Sequence, residues 1–161
     1  MQKFVYKRKR TMNIIALDID DCILPTNNNY FGITDDAEII FEVNLIRLVM
    51  IIKKYNMKVF IISSWYASLS LDSGTLSLKY HRENKRMVRQ FNLMNKYIGK
   101  DVMGLSCGNR VKDIEKLSKD NKVIILDDMD LSECENDNCV FIEVKGFISG
   151  NVGYKIKNFF N

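Results

Sequence analysis

The sequence predicts an α/β fold, a three-layer sandwich in which helices cover both faces of a five-stranded parallel sheet. Five short runs of almost continuous apolar residues have the character of strands that are buried on both sides. Segments of helical periodicity separate these runs, as the crossover connections of a parallel sheet require. Three of the runs end in acidic or hydroxyl residues, which is typical of a ligand site at the carboxyl edge of such a sheet.

The first half of the chain supplies a strand and a long helix. The strand is predicted at residues 13–18, and a turn-rich segment follows it at 22–33. Asp35 stands three residues before Glu38, which predicts a capped helix that continues to about Tyr55. The apolar stripe predicted to face the core from this helix consists of Ile39, Val43, Ile46 and Met50.

The remaining elements continue the alternation of strands and helices. A second strand at 57–62 leads into a Ser- and Leu-rich segment at 65–79 that no pattern assigns. A basic helix is predicted at 80–98, with Met87, Phe91 and Met94 facing inward. The other predicted elements are a third strand at 101–106, a helix at 111–119, a fourth strand at 122–126, a fifth at 139–144 and a short terminal helix.

Composition favours a globular protein without structural zinc. The 161 residues are 47% hydrophobic and 27% charged, and no apolar run reaches the ~18 residues of a membrane span. Because no secretory signal is recognisable, we expect a cytoplasmic protein that does not enter the membrane. The four cysteines lack CxxC spacing and the chain has one histidine, so free thiols are favoured over zinc binding and over a Cys134–Cys139 disulfide.

The net charge of +4 is concentrated in two basic groups. Residues 1–12 are predicted to form a basic N-terminal extension to a single domain at 13–161, and a second basic group lies at 81–89. Such groups bind phosphate backbones, or they form a solvated tail and a solvated helix face. Their members are Lys3, Lys7, Arg8, Lys9 and Arg10, and then Arg82, Lys85, Arg86 and Arg89.

Carboxylates are concentrated at the ends of two predicted strands. Because parallel strands present their carboxyl ends at one edge of a sheet, these acids and the serines after the second strand are expected to converge. So many carboxylates cannot all stay ionised without a cation, and oxygen-only ligands favour Mg²⁺ over Mn²⁺ or Ca²⁺. The converging residues are Asp18, Asp20 and Asp21 after the first strand, Ser63 and Ser64 after the second, and Asp127, Asp128 and Asp130 after the fourth.

These residues resemble the four motifs of the haloacid dehalogenase-like superfamily. Residues 18–22, Asp-Ile-Asp-Asp-Cys, are similar to its first motif, DxDx(T/V), and Ser63 is similar to its second. Lys112 resembles the third motif and Asp127-Asp128 the fourth, so the resemblance covers essentially the whole chain in the right order. The chain departs from the pattern at two positions, where Cys22 replaces Thr or Val and Asp21 replaces the common Gly.

The resemblance implies a Rossmann-like phosphatase without a large cap domain that uses Mg²⁺ as its cofactor. Asp18 would attack the phosphorus atom and form an aspartyl-phosphate, while Asp20 would protonate the leaving oxygen and later deprotonate water. The metal would be held by Asp18, the backbone carbonyl of Asp20 and Asp127, and Asp128 would hold the metal's water shell or serve as a second ligand.

The same resemblance assigns the phosphoryl oxygens to Ser63, Ser64 and a basic side chain. A helix that leads into a parallel strand runs antiparallel to it, so its first turn lies at the carboxyl edge. This favours Lys112 over Lys119 and over Lys116, which is a full turn farther away, and it leaves Arg110 as the competitor for the role.

The short connections favour an open site and a large phosphorylated substrate. Together with the basic groups, they lead to the hypothesis that the phosphate lies on a nucleotide or a nucleic-acid end. Trp65 is predicted to pack partly buried or to stack on a substrate ring at the rim. Alternative functions are a phosphatase of small phosphorylated metabolites or phosphoproteins, and a catalytically silent binding module that keeps the fold.

Overall fold

The computed structural model describes residues 10–26, 36–79 and 84–161 of the chain. Within these ranges an α-helix lies between successive strands of the main sheet, as predicted, except between the last two. The elements are β1 (Asn13–Leu17), α1 (Ala37–Tyr55), β2 (Met57–Ile61), β3 (Leu69–Asp72), β4 (Thr75–Leu78), α2 (Lys85–Ile98), β5 (Val102–Leu105), α3 (Arg110–Ser118), β6 (Lys122–Asp127), β7 (Cys139–Glu143) and α4 (Gly150–Phe160).

Five of the strands form one parallel sheet in the order β5-β2-β1-β6-β7, which confirms the predicted α/β architecture. β1 lies at the centre, and its last residue, Leu17, is level with Ile61 of β2 and with Leu126 of β6. The segments that follow these three strands therefore begin side by side at the carboxyl edge of the sheet.

The order of connections places a crevice between β1 and β6. From β1 the chain builds β2 and then β5 on one side, and it returns across the centre to build β6 and β7 on the other. The connections that flank β1 and β6 thus lead in opposite directions. In open parallel sheets this reversal leaves a crevice outside the strand ends, where ligands bind.

The sheet separates two hydrophobic cores, because side chains alternate between the faces of β1. Ile15 and Leu17 lie in the core that holds the buried side chains of α1, α2 and α4. Ile14 and Ala16 lie in the other core, together with Ile114 of α3. Helices therefore cover both faces of the sheet. For this reason the four apolar residues of β1 are fully buried, and its first residue, Asn13, is half-buried.

The predicted core stripe of α1 was wrong at three of its four residues, and the fourth, Val43, is half-buried. Ile39, Ile46 and Met50 are 63%, 43% and 66% exposed. This helix is apolar on almost every side, so its periodicity did not specify which face would meet the sheet. The residues buried instead are Ala37, Phe41, Asn44, Leu45, Leu48 and Ile52.

The unassigned segment 65–79 contains a turn of 3₁₀ helix, Ser64–Ser68, and the antiparallel hairpin β3–β4. Its tight turn uses Ser73 and Gly74, whose φ angles are both positive, as two-residue hairpin loops prefer. Leu69 and Leu76 anchor the hairpin in the core shared with α2, and β3 contacts the edge strand β5. The hairpin is thus an accessory to the sheet edge.

Several predictions fall on residues outside the described ranges. These include the capping role of Asp35, the place of Arg82 in the second basic group and most of the basic N-terminal extension, and they stay predictions. Among the helices that the structure describes, none is long and apolar enough to cross a lipid bilayer. All four cysteines are free thiols, as expected. Of the three residues predicted to face inward from α2, Phe91 and Met94 are buried and Met87 is half-buried.

Asn44 is a fully buried polar residue of α1 that ties together two loops at the carboxyl edge. Its amide nitrogen donates to the carbonyl oxygens of Ile23 and Gly146, at 2.8 and 2.9 Å. Its amide oxygen accepts the backbone N–H of Ile148 at 2.9 Å. One side chain therefore fixes the loop after β1 to the segment after β7.

Replacing Asn44 by Ala should lower the free energy of unfolding by about 2–4 kcal/mol, because three buried backbone groups lose their partner. Urea denaturation measures this change. The exposed residue Asn92 offers the matched control, and Asn92→Ala should change the stability by less than about 0.5 kcal/mol. Equal stability of the two variants would contradict the role assigned to Asn44.

Candidate active site

Three carboxylates meet in the crevice between β1 and β6. Asp18 follows β1 directly, Asp127 is the last residue of β6, and Asp128 comes next. One oxygen from each lies within 4.8 Å of the others. Asp18 is 2% exposed and Asp127 is fully buried, so the group is held largely inside the protein.

Burial and mutual repulsion raise the pKa values of these acids. Burial is the larger cause and the charge of Asp127 the second, and together they raise the pKa of Asp18 from 3.8 to about 7. Burial likewise raises the pKa of Asp127. Two unit charges about 5 Å apart repel by roughly 3 kcal/mol even at an effective dielectric constant of about 20. The structure therefore needs positive charge at this point.

Arg110, the first residue of α3, supplies one such charge. Its guanidinium nitrogens lie 3.2 Å from Oδ1 of Asp18 and 2.7 Å from Oδ2 of Asp127. When Asp18, Asp127 and Asp128 are all ionised, this guanidinium offsets one of three negative charges and leaves two. A divalent cation has the charge that remains to be balanced.

Lys112 is the basic residue that the sequence favoured for binding the phosphoryl oxygens. It follows the half-buried Val111, and its own side chain is exposed. Its backbone N–H donates to Oδ1 of Asn109, the capping residue of α3, at 3.0 Å. Among the described residues, Arg110 is the one whose basic side chain contacts Asp18 and Asp127. Both residues do lie in the first turn at the carboxyl edge, as the antiparallel course of the helix predicts.

Asp20 is separate from the group of three carboxylates. Its Oδ1 accepts the indole N–H of Trp65 at 3.1 Å. Burial raises the pKa of Asp20, and the hydrogen bond from Trp65 opposes this effect. Sequence patterns predicted packing or substrate stacking for Trp65 and gave no sign of this hydrogen bond, because the partners are 45 residues apart.

The two serines after β2 have different environments. Ser63 is fully buried, and its Oγ accepts the backbone N–H of Trp65 at 3.4 Å. Ile62, just before it, donates its backbone N–H to Leu17 at 2.9 Å, which holds Ser63 beside the end of β1. Ser64 is exposed. Ser63 is therefore the serine that is fixed next to the acids.

Asp21 shapes the turn after β1. Its φ angle is +58°, a left-handed conformation that Gly, Asn and Asp adopt most readily. Its Oδ1 accepts the backbone N–H and the hydroxyl of Thr26, at 3.0 and 2.7 Å. Asp130 is an exposed loop residue whose Oδ1 accepts the N–H of Ser132.

Comparisons with protein-family models, curated proteins and solved structures find no match to this chain.

Neutralising Asp18 should stabilise the metal-free protein at high pH. Because folding raises the pKa of this acid, the folded protein retains a proton that the unfolded chain loses, and the free energy of unfolding falls as the pH rises from 3.8 to about 7. In a chelator at pH 8, Asp18→Asn should therefore exceed the wild type by roughly 2–4 kcal/mol. Urea denaturation across this pH range measures the difference.

The stability difference should shrink as the pH is lowered toward 4, where Asp18 is protonated in the folded protein. Asp120→Asn, at an exposed position after α3, is the matched control and should follow the wild type at every pH. A wild type that is more stable than Asp18→Asn at pH 8 without metal would contradict the repulsion described above.

Proposed function

We propose that the protein is a Mg²⁺-dependent phosphatase of the haloacid dehalogenase-like superfamily. The observation that carries this proposal is the group of Asp18, Asp127 and Asp128 at the switch point of a parallel sheet, where one oxygen of each lies within 4.8 Å of the others and the first two residues are buried. A second acid, Asp20, stands two residues beyond Asp18, as the DxD motif requires. The backbone of Asp21 is left-handed, which accounts for Asp at a position where the family commonly has Gly.

The three carboxylates fit a hard divalent cation. They offer only oxygen donors, Asp18 and Asp127 are buried and Asp128 is half-buried, and when all three are ionised their negative charge exceeds what Arg110 balances. Asp18, Asp127 and Asp128 would hold Mg²⁺, together with the backbone carbonyl of Asp20. When bound, the metal would offset the repulsion between the Asp18 carboxylate and an anionic phosphate group.

The side chains around Asp18 divide the work of phosphoryl transfer. Asp18 attacks phosphorus and forms an aspartyl-phosphate, while Asp20 gives a proton to the leaving oxygen and later accepts one from water. Ser63 donates its hydroxyl to the phosphoryl group. Among the basic residues that the structure describes, Arg110 is the best placed to bind the phosphoryl oxygens, since it lies beside Asp18 and is half-buried.

Replacing Asp18 by Asn should reduce Mg²⁺-dependent phosphate release from p-nitrophenyl phosphate by roughly 1,000-fold or more, because the nucleophile is lost. A chelator should abolish the wild-type activity. Asp130→Asn, at an exposed acid in the neighbouring loop, is the matched control and should stay within about twofold of the wild type. Activity that survives in Asp18→Asn would belong to a contaminant.

If the purified protein binds Mg²⁺ but releases no phosphate, it is a silent binding module and the proposal fails.

For the substrate, we propose a nucleotide or nucleic-acid end phosphate. The exposed residues Lys85 and Arg86 in the first turn of α2 support this class. Phosphate release from 3′- and 5′-phosphorylated oligonucleotides should exceed that from sugar phosphates and phosphopeptides, and equal or faster turnover of the small compounds would exclude it.

Arg110→Ala and Lys112→Ala should separate the two candidates for the third motif. Loss of Arg110 should reduce kcat/KM about 100-fold, the usual effect of removing one donor to a developing oxyanion. Loss of the exposed Lys112 should reduce it less than about threefold. Steady-state kinetics in saturating Mg²⁺ measure both effects, and the reverse order would assign the role to Lys112.

A further inference from the structure

The chain's single tryptophan contacts the proposed general acid. The indole Nε1 of Trp65 donates to Oδ1 of Asp20 at 3.1 Å, and the side chain is 5% exposed. We infer that Trp65 is a positioning residue that occupies one oxygen of Asp20 and leaves the other to exchange a proton with the substrate. This inference rests on the proposed phosphatase function, because it gives Trp65 a part in that reaction.

The indole group can determine which of the two oxygens of Asp20 carries the proton. An indole N–H is a donor with no acceptor atom. In a protonated carboxyl group the carbonyl oxygen is the stronger acceptor, so a donor fixed on Oδ1 of Asp20 favours the proton on Oδ2. The hydrogen bond thereby selects the oxygen that carries the proton, and it also fixes the orientation of the carboxyl group.

The same oxygen, Oδ2 of Asp20, gives up a proton in the first step and accepts one in the second. As the bond from phosphorus to the leaving oxygen breaks, its electron pair goes to that oxygen, which takes the proton from Oδ2 of Asp20. The phosphoryl group is now bonded to Asp18. In the second step water attacks phosphorus and gives a proton to Oδ2, the bond to Asp18 breaks, and inorganic phosphate leaves.

Trp65 is held in place by the protein and does not need a substrate to position it. Its backbone N–H donates to Oγ of Ser63 at 3.4 Å, directly after β2. Its indole belongs to the core that also contains Leu69 and Leu76 of the hairpin. A donor fixed in this way can orient an acid before the substrate arrives. Packing alone would account for the burial, so the test must separate packing from positioning.

Trp65→Phe keeps an aromatic ring in the core and removes the donor. A p-nitrophenolate leaving group needs little protonation, whereas an alkoxide depends on a general acid. We therefore expect the variant to lose about 10–100-fold in kcat/KM for an alkyl phosphate and less than about threefold for p-nitrophenyl phosphate. Tyr66→Phe removes a hydroxyl from the neighbouring exposed aromatic and should leave both values unchanged.

The ratio of the kcat/KM losses for the alkyl phosphate and for p-nitrophenyl phosphate decides between a packing role and a positioning role for Trp65. This ratio is informative because kcat/KM reports only the steps through leaving-group release. Equal losses for the two substrates, or no loss for the alkyl phosphate, would overturn the positioning role while the wild-type activity stands. A wild type that hydrolyses neither substrate would instead refute the proposed function, and the positioning role with it.

A second measurement is independent of activity and of the folding of Trp65→Phe. The single tryptophan gives one indole N–H signal in a ¹H–¹⁵N correlation spectrum. Asp20→Ala removes the acceptor and should shift this proton signal upfield, whereas Asp120→Asn should leave it in place. An indole signal that does not respond to Asp20→Ala would overturn the inference, whatever the protein catalyses.

Discussion

The repulsion between Asp18 and Asp127 is the constraint around which the carboxyl edge of this sheet is built. The register of β1 and β6 makes these acids neighbours, and burial at 2% and 0% exposure denies them the solvation that would screen their charges. Arg110 reaches both carboxylates from the first turn of α3 and offsets part of that charge. The protein therefore maintains a local excess of negative charge, which is a condition suited to binding a cation.

The rest of the fold holds that unfavourable arrangement in place. β1 is flanked by parallel partners on both sides and by a hydrophobic core on each face, so its end cannot move away from β6. Asn44 fixes the loop after β1, and Asp21 adopts the left-handed backbone conformation that the turn in this loop requires. Packing energy and buried hydrogen bonds thus outweigh the electrostatic cost at the strand ends, as the stability of a domain with a strained site requires.

Much of the candidate site could be predicted because it depends on local sequence and strand order. Asp18, Ser63 and Asp127 each follow a short apolar run, and parallel pairing brings such positions together without detailed knowledge of packing. The contacts of Arg110 and Trp65 could not be predicted in this way. Their partners lie 17 to 92 residues away, and the choice between Arg110 and Lys112 depends on which side of α3 faces the crevice.

The sequence by itself determined the alternation of strands and helices, and with it the parallel sheet and the edge where the acids meet. It could not determine the orientation of α1, because this helix carries apolar side chains on nearly every side. Ile39, Ile46 and Met50 match the helical period as well as the residues of the buried face do. Only the tertiary structure decided which face of α1 is buried and which donor orients Asp20. Both depend on side chains that meet across the fold, and such contacts have no periodic signal along the chain.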